Sequence, residues 1–100
     1  MQYINYTLTP IRTLDGSEYP SQGLAAVERL YTETRSGILV QRFGDVTGLP
    51  EPTFGVRLIV DEAVLTISNR FDLVAPAIHH PEAKIESSVV TVPAFIEKVH

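Results

Sequence analysis

Cysteine is absent from this 100-residue chain, and so is tryptophan. Small secreted domains usually compensate for a small core with disulfides, so a chain without cysteine fits a reducing, cytoplasmic setting. The first residues, Met1–Asn5, contain neither a basic segment nor an apolar one and are not typical of a signal peptide. No apolar run approaches the roughly 20 residues that a helix needs to span a bilayer. The sequence therefore predicts a cytoplasmic protein without a membrane segment.

Positive charge is also sparse in this sequence. The formal net charge is -4, from 8 Lys and Arg against 12 Asp and Glu, and no two basic residues are adjacent. Nucleic-acid binding needs a concentrated positive surface that releases counterions from the phosphates. The charge balance therefore argues against a nucleic-acid partner, whereas an acidic surface suits a basic protein partner or simply keeps the protein in solution.

Apolar residues, in contrast, are plentiful enough for a core. Hydrophobic residues make up 44% of the chain, and the mean hydropathy is +0.08. Charged residues make up 20%, which is too few for a disordered tail. The length predicts a single domain over residues 1–100. Because a domain of this size is only marginally stable alone, we expect an oligomer or a protein partner to cover part of its apolar surface.

The clearest periodic segment predicts a main helix over Ser21–Ser36. Ser21 suits the N-cap position, and Gly37 suits the left-handed residue that follows the last turn. Five residues follow helical spacing and would form the buried face: Leu24, Val27, Leu30, Tyr31 and Thr34. The sequence therefore places one amphipathic helix in the first half of the chain.

Alternating apolar residues predict strands on both sides of this helix. The predicted strands are Gln2–Leu8, Ile38–Phe43, Phe54–Val60 and Ile85–Val92. Segment 61–75 fits either strands or a helix, and its Val and Ile content together with Pro76 favours strands. Pro93 suits the first turn of a short C-terminal helix. The sequence thus predicts an α+β domain, in which one main helix packs on a mainly antiparallel sheet of four to five strands.

The tetrapeptide His79-His80-Pro81-Glu82 is the one place where two potential acid–base or metal-binding groups are adjacent. Neighbouring histidines point in different directions on a regular element, and no cysteine is present to complete a zinc site. Pro81 requires an extended residue before it, so the simplest interpretation is a solvated turn. Phosphate-binding glycine loops and a nucleophile elbow are also absent. We therefore predict no metal site and no cofactor.

The same tetrapeptide resembles the core motif of the pterin-4a-carbinolamine dehydratases, which are small α+β proteins of similar length. The segments 85–92 and 94–99 are similar to the strand and the C-terminal helix that follow the motif in that family. The resemblance implies that His79 and His80 act as an acid–base pair during loss of water from a pterin carbinolamine. The chain departs from the family pattern at Ser87, where the family has an aromatic residue, and it lacks the family's third histidine.

Two further features suggest a binding surface. The segment Gly44–Thr53 contains Pro50 and Pro52 and predicts a stiff, exposed loop that is either a connector or a recognition loop. Tyr3 and Tyr19 are predicted to be exposed, where tyrosine is favoured at interfaces, unless they simply pack. The predicted binding residues are Leu49, Pro50, Glu51, Pro52, Phe54, Tyr3 and Tyr19.

These observations rank three functional hypotheses. The first is a small non-enzymatic protein-interaction module, an adaptor or inhibitor of the kind found among phage or operon accessory proteins, acting as a homo-oligomer or in a complex. The second is a carbinolamine dehydratase-like enzyme that uses His79 and His80. The third is binding of a small ligand between the helix and the sheet. No hypothesis includes a nucleic acid or a membrane as the partner.

Overall fold

A computed structural model describes residues 1–99, which form ten strands and one helix. The strands are β1 Gln2–Asn5, β2 Ile11–Thr13, β3 Glu18–Tyr19, β4 Ala26–Glu33, β5 Leu39–Thr47, β6 Val56–Ile59, β7 Leu73–Pro76, β8 Lys84–Glu86, β9 Val89–Val92 and β10 Phe95–Ile96. The helix, α1, is Glu62–Ile67. The strands form two sheets of four strands and one sheet of two strands.

The first sheet has the strand order β1-β6-β7-β10, and its strands β1, β6 and β7 are parallel. Helix α1 connects β6 to β7, which makes a short parallel crossover unit. The strand order places β6 and β7 at the centre of the sheet, where both faces are covered.

Helix α1 has only six residues, and no helix within residues 1–99 has the length and apolar character that crossing a membrane requires.

Alternating side chains of β6 and β7 divide the core into two clusters. Leu58 and Leu73 belong to the first cluster, which packs against α1, and Ile59 and Val74 belong to the second. The second cluster is completed by Ile11 and Val92 of the second sheet, whose strand order is β3-β2-β9-β8. Successive residues of a strand face opposite sides, so one pair of central strands joins both layers.

Asn5 links the two four-stranded sheets through a buried amide. Its Nδ2 donates to the carbonyl oxygens of Thr9 at 2.8 Å and Tyr19 at 2.9 Å. Its Oδ1 accepts hydrogen bonds from the backbone N–H of Thr7 at 2.8 Å and from the Thr7 hydroxyl at 2.6 Å. A buried polar group must be hydrogen-bonded, and Asn5 meets this condition with both its donors and its acceptor.

The third sheet is the antiparallel hairpin β4–β5, and we call residues 26–47 the arm. Val27 and Val46, at the base of the arm, pack against the first core cluster. Beyond this base, the residues from 28 to 43 are exposed, apart from a half-buried Thr34 near the tip. The radius of gyration is 15.2 Å and the longest dimension is 51 Å. A compact chain of this length has a radius of about 13 Å, so the arm extends away from the body.

The predicted main helix over 21–36 is wrong, because most of this segment is strand β4. Val27, Tyr31 and Thr32 have high strand propensity, and pairing with β5 outweighs the helical spacing. Gly37 has the predicted left-handed conformation, with φ of +79°, but it closes a hairpin loop. Left-handed glycines end helices and also close three-residue hairpin loops, so the glycine alone does not distinguish the two structures.

The predicted C-terminal helix and single antiparallel sheet are also wrong. Phe95 and Ile96 form β10, which pairs antiparallel with β7 after Pro93. Segment 61–75 contains both α1 and the start of β7, so the preferred strand interpretation is wrong for its first half. Three sheets with several parallel pairs replace the expected helix on a mainly antiparallel sheet. The chain is thus mostly strand, with one short helix within residues 1–99.

Candidate interaction surface

The paired histidines lie in an exposed turn between β7 and β8. His79 Nε2 is 3.5 Å from Glu62 Oε2, and the His79 side chain is largely exposed. His80 Nδ1 instead accepts a hydrogen bond of 3.1 Å from the backbone N–H of Glu82. Within residues 1–99, no cluster of three His, Asp or Glu side chains could hold a metal ion. The two rings thus contact different groups, a strand rather than a helix precedes them, and the dehydratase hypothesis stays a prediction.

The proline-rich loop is anchored to the body at one end. Leu49 is half-buried against the first core cluster, and the carbonyl oxygen of Pro50 accepts a hydrogen bond of 2.9 Å from Arg70 Nη1. Two further bonds, of 2.9 and 2.6 Å, join the Arg70 guanidinium to the Asp72 carboxylate and raise the pKa of Arg70. The exposed members of the predicted loop surface are Pro50, Glu51, Pro52 and Phe54.

Phe54 is the most exposed aromatic side chain of this loop. Together with Met1 and Phe71, both largely exposed, it lines an open groove of about 390 Å³. Arg57 lies on the same groove and donates a long hydrogen bond, 3.5 Å, to the Phe71 carbonyl oxygen. Phe54 is therefore exposed to solvent, whereas Leu49 packs against the first core cluster.

Tyr3 and Tyr19 are half-buried, and their rings pack with that of Phe95. The ring centroids are 6.2 Å apart for Tyr3 and Tyr19, 5.3 Å for Tyr3 and Phe95, and 5.7 Å for Tyr19 and Phe95. This aromatic cluster joins β1, β3 and β10 over the second core cluster. Both tyrosines also line an open groove of about 640 Å³ beside Glu18. Packing is thus an observed role of these tyrosines, and one edge of each faces the groove.

The arm exposes a set of apolar side chains that the sequence did not predict as a surface. Six of its large hydrophobic residues are exposed: Leu30, Tyr31, Ile38, Leu39, Val40 and Phe43. The sequence pattern predicts Leu30 and Tyr31 on the buried face of a helix, and it predicts a strand over Ile38–Phe43. The signal that could have identified them is the polar sequence Thr34-Arg35-Ser36-Gly37 between two segments that contain β-branched and aromatic residues.

The register of the hairpin determines which side chains share a face. The first face carries three cross-strand pairs: Arg29 with Phe43, Tyr31 with Gln41, and Glu33 with Leu39. The Arg29 guanidinium lies 5.5 Å from the centroid of the Phe43 ring, which is a cation–π contact. The second face carries two pairs: Leu30 with Arg42, and Thr32 with Val40. Large apolar groups therefore occur on both faces of the arm.

Two glycines shape the base of the arm. The register shifts between Val27 and Arg29, where Gly44 and its neighbour form a bulge opposite Glu28. A Cβ on Gly44 would lie 2.8 Å from the Glu28 carboxylate, and one on Gly48 would lie 2.1 Å from a main-chain carbonyl oxygen. The Glu28 carboxylate is the free end of an exposed side chain and can shift, whereas the main chain next to Gly48 cannot, so Gly48 is the position that requires glycine.

An apolar groove of about 250 Å³ lies at the same base, beside α1. Leu8, Leu24 and Val64 line it, and the Asp61 carboxylate is next to them. Burial raises the pKa of Asp61 above its ordinary value of 3.8. The side chain of Asp61 makes no capping hydrogen bond to α1, although it occupies the N-cap position.

Comparisons with protein-family models, curated proteins and solved structures found no match. The function must therefore be inferred from the surface of the chain itself. Exposed large hydrophobic side chains lie on the arm, along the groove beside Phe54 and along the groove beside α1. Both grooves lie against the packed body, whereas the distal arm has both faces in solvent. The arm is therefore the candidate functional site.

Proposed function

We propose that this protein is a protein-interaction module of the adaptor or inhibitor type, and that the arm is its binding element. The observation that carries the proposal is the exposure of six large hydrophobic side chains on a two-stranded hairpin. Large apolar side chains that are grouped on one exposed element, rather than scattered singly over the surface, mark an interaction site. An isolated hairpin is only marginally stable in water, so a partner that covers the arm would also order it.

The energetics of burial support an interaction of useful affinity. Leu39 and Ile38 are each more than half exposed, at 63% and 62%, near the tip of the arm. Burying such a side chain completely contributes about 1.5–3 kcal/mol. Association costs about 4–15 kcal/mol in lost rigid-body freedom. Burial of several arm residues together is therefore needed, and the arm presents enough of them on one element.

The arm also offers backbone groups to a partner. Its outer edges have no neighbouring strand within residues 1–99, because β4 and β5 pair only with each other. An extended segment of a partner can add to such an edge as a further strand, while pockets on the faces select its side chains. The proposal includes a cytoplasmic setting and no cofactor, as expected from the sequence.

Capture of partners from a lysate of the native host, with the tagged full chain as bait, tests this proposal. Leu39→Ser removes an exposed apolar group from the arm, and Leu14→Ser is the matched control because Leu14 is similarly exposed on a turn of the body. We expect Leu39→Ser to lose a stoichiometric partner that Leu14→Ser retains. A third variant, Phe54→Ser, tests the loop. Loss of the partner with Phe54→Ser but not with Leu39→Ser would contradict the proposal.

A further inference from the structure

We infer that the arm binds a second copy of this chain, through antiparallel pairing of the two β4 edges about a twofold axis at Tyr31. The inference rests on the proposed function of the arm and specifies which edge is used and by which partner. It is carried by two independent properties of β4. One is the direction in which its backbone groups point, and the other is the order of the charges along it.

The direction of the backbone groups follows from the hairpin loop. Thr34 faces Ile38 across the hairpin, and the Thr34 N–H donates to the Ile38 carbonyl oxygen at 2.9 Å. Hydrogen-bonded and non-hydrogen-bonded pairs alternate along an antiparallel ladder. The next pair, Glu33 with Leu39, is therefore a non-hydrogen-bonded pair. The N–H and C=O groups of Arg29, Tyr31 and Glu33 thus point away from β5. Within residues 1–99, none of these groups makes a backbone hydrogen bond outside the ladder.

These outward groups restrict the register in which a second β4 can pair. If the second strand is shifted by one residue, residues whose N–H and C=O groups point outward face residues whose groups point back to β5. Hydrogen bonds between the two β4 strands can therefore form only in every second register. The register centred on Tyr31 places Tyr31 opposite its own copy. It also places Arg29 opposite Glu33 of the second copy, and it does so twice by symmetry. About six interchain N–H···O=C bonds would then join the two strands.

The charges select this register among those that the backbone permits. A shift by two residues in one direction places Arg29 opposite Tyr31, and neither charge then has a partner across the interface. The opposite shift places Glu33 opposite Tyr31 and leaves Arg29 facing the hairpin loop beyond the end of β4, so again neither charge has an opposite partner. Opposite charges directly across a strand pair are stabilising, and like charges are destabilising. Strand β4 is therefore complementary in charge to its own antiparallel copy in one register only.

The edge of β5 lacks this property. Its outward residues are Leu39, Gln41 and Phe43, the cross-strand partners of the outward residues of β4. None of them is charged, so the outward residues of β5 form no charge pair that would select a register against its own copy. Pairing through β4 converts two hairpins into one four-stranded antiparallel sheet with the order β5-β4-β4-β5. A sheet of this size is stable where a lone hairpin is marginal.

Two proline variants of the full chain test which edge pairs. Tyr31→Pro removes an outward N–H from β4 and no bond of the β4–β5 ladder, since proline is tolerated at such edge positions. Gln41→Pro is the matched control, because Gln41 is directly opposite Tyr31 and its N–H points outward from β5. Sedimentation equilibrium up to about 1 mM protein measures dimerisation, and amide spectra of the body confirm folding.

We expect a concentration-dependent dimer for the wild-type chain and for Gln41→Pro. We expect Tyr31→Pro to weaken dimerisation by about tenfold or more. A monomeric wild-type chain at about 1 mM overturns the inference. Equal effects of the two prolines, or loss of the dimer only with Gln41→Pro, overturn it as well.

A charge exchange tests the register. The Arg29→Glu chain carries two acids on the β4 edge, and the Glu33→Arg chain carries two bases. Each variant alone should dimerise more weakly than the wild-type chain, because like charges then face each other. An equimolar mixture should form a heterodimer, since every acid then faces a base. A mixture that stays monomeric contradicts the register.

The outcomes also separate this inference from the proposed function. If the wild-type chain is monomeric but Leu39→Ser still loses a lysate partner, self-pairing is wrong and the arm remains a binding element. If the chain dimerises with the arm uninvolved and Leu39→Ser retains every partner, both proposals are wrong.

Discussion

Asn5 is a buried amide between two sheets, and its hydrogen bonds account for both donors and the acceptor oxygen. Asn5→Ala removes the amide and leaves the buried N–H of Thr7 and the carbonyl oxygen of Tyr19 without their partner. We expect a loss of about 1–3 kcal/mol in the free energy of unfolding, measured by urea denaturation. Asn69→Ala is the control, because Asn69 is exposed, and it should change stability by less than about 0.5 kcal/mol.

Gly48 combines two constraints that can be separated by a matched substitution. Its φ is +88°, and a Cβ there would lie 2.1 Å from the Leu24 carbonyl oxygen. Gly55 has a φ of +76° and open space around its Cβ position. Gly55→Ala should therefore lower the free energy of unfolding by about 1–2 kcal/mol through backbone strain alone. Gly48→Ala should lower it further, because its Cβ also clashes with the main chain. If urea denaturation gave the same midpoint for both variants, the close approach of the two chain segments at Gly48 would be contradicted.

At the scale of elements, some strands of the body were predictable because the alternation of their residues is local. Strands β1 and β6 lie where the alternation of Ile4, Tyr6 and Leu58 indicates. The hairpin β8–β9 was predicted as one strand, because its turn uses Ser87 and Ser88 with φ of +50° and +65°. Glycine or asparagine usually marks such a turn, and this sequence has neither there.

The arm was not predictable as an element, because its strands depend on each other and not on the body. The spacing of Leu24, Val27 and Leu30 matches a helix as well as a strand bent by a bulge. The candidate site was missed for the same reason, since a helix would have buried the residues that the hairpin exposes. The exposed Phe54, in contrast, could be predicted from the neighbouring Pro50 and Pro52, which keep the loop out of the core.

The base and the middle of the arm should differ in how they contribute to stability. Val27 packs on the first core cluster, whereas Leu30 is exposed. Val27→Ala should lower the free energy of unfolding by about 1 kcal/mol, and Leu30→Ala should change it by less than about 0.5 kcal/mol. Urea denaturation followed by far-ultraviolet circular dichroism measures both. A larger loss for Leu30→Ala would mean that the arm folds back on the body.

At the scale of the whole molecule, a body with two core clusters carries an extended arm. The arm, residues 26–47, contains three acids and three arginines and is therefore neutral, so the rest of the chain carries the whole net charge of -4. Because the negative charge lies on the body, two bodies repel each other when they pack side by side, whereas the arm is not repelled. Contact between two copies through their arms avoids this repulsion.

Residue-resolved amide hydrogen exchange of the full chain, compared at low and high protein concentration, tests the central claim that the arm is the binding element. The account predicts slower exchange confined to the arm at high concentration. The strongest protection should occur at the Tyr31 amide, which points outward, while amides of the core strands β6 and β7 are unchanged. Protection that appears at Tyr3, Tyr19 or Phe54, with the Tyr31 amide still exchanging freely, would contradict it.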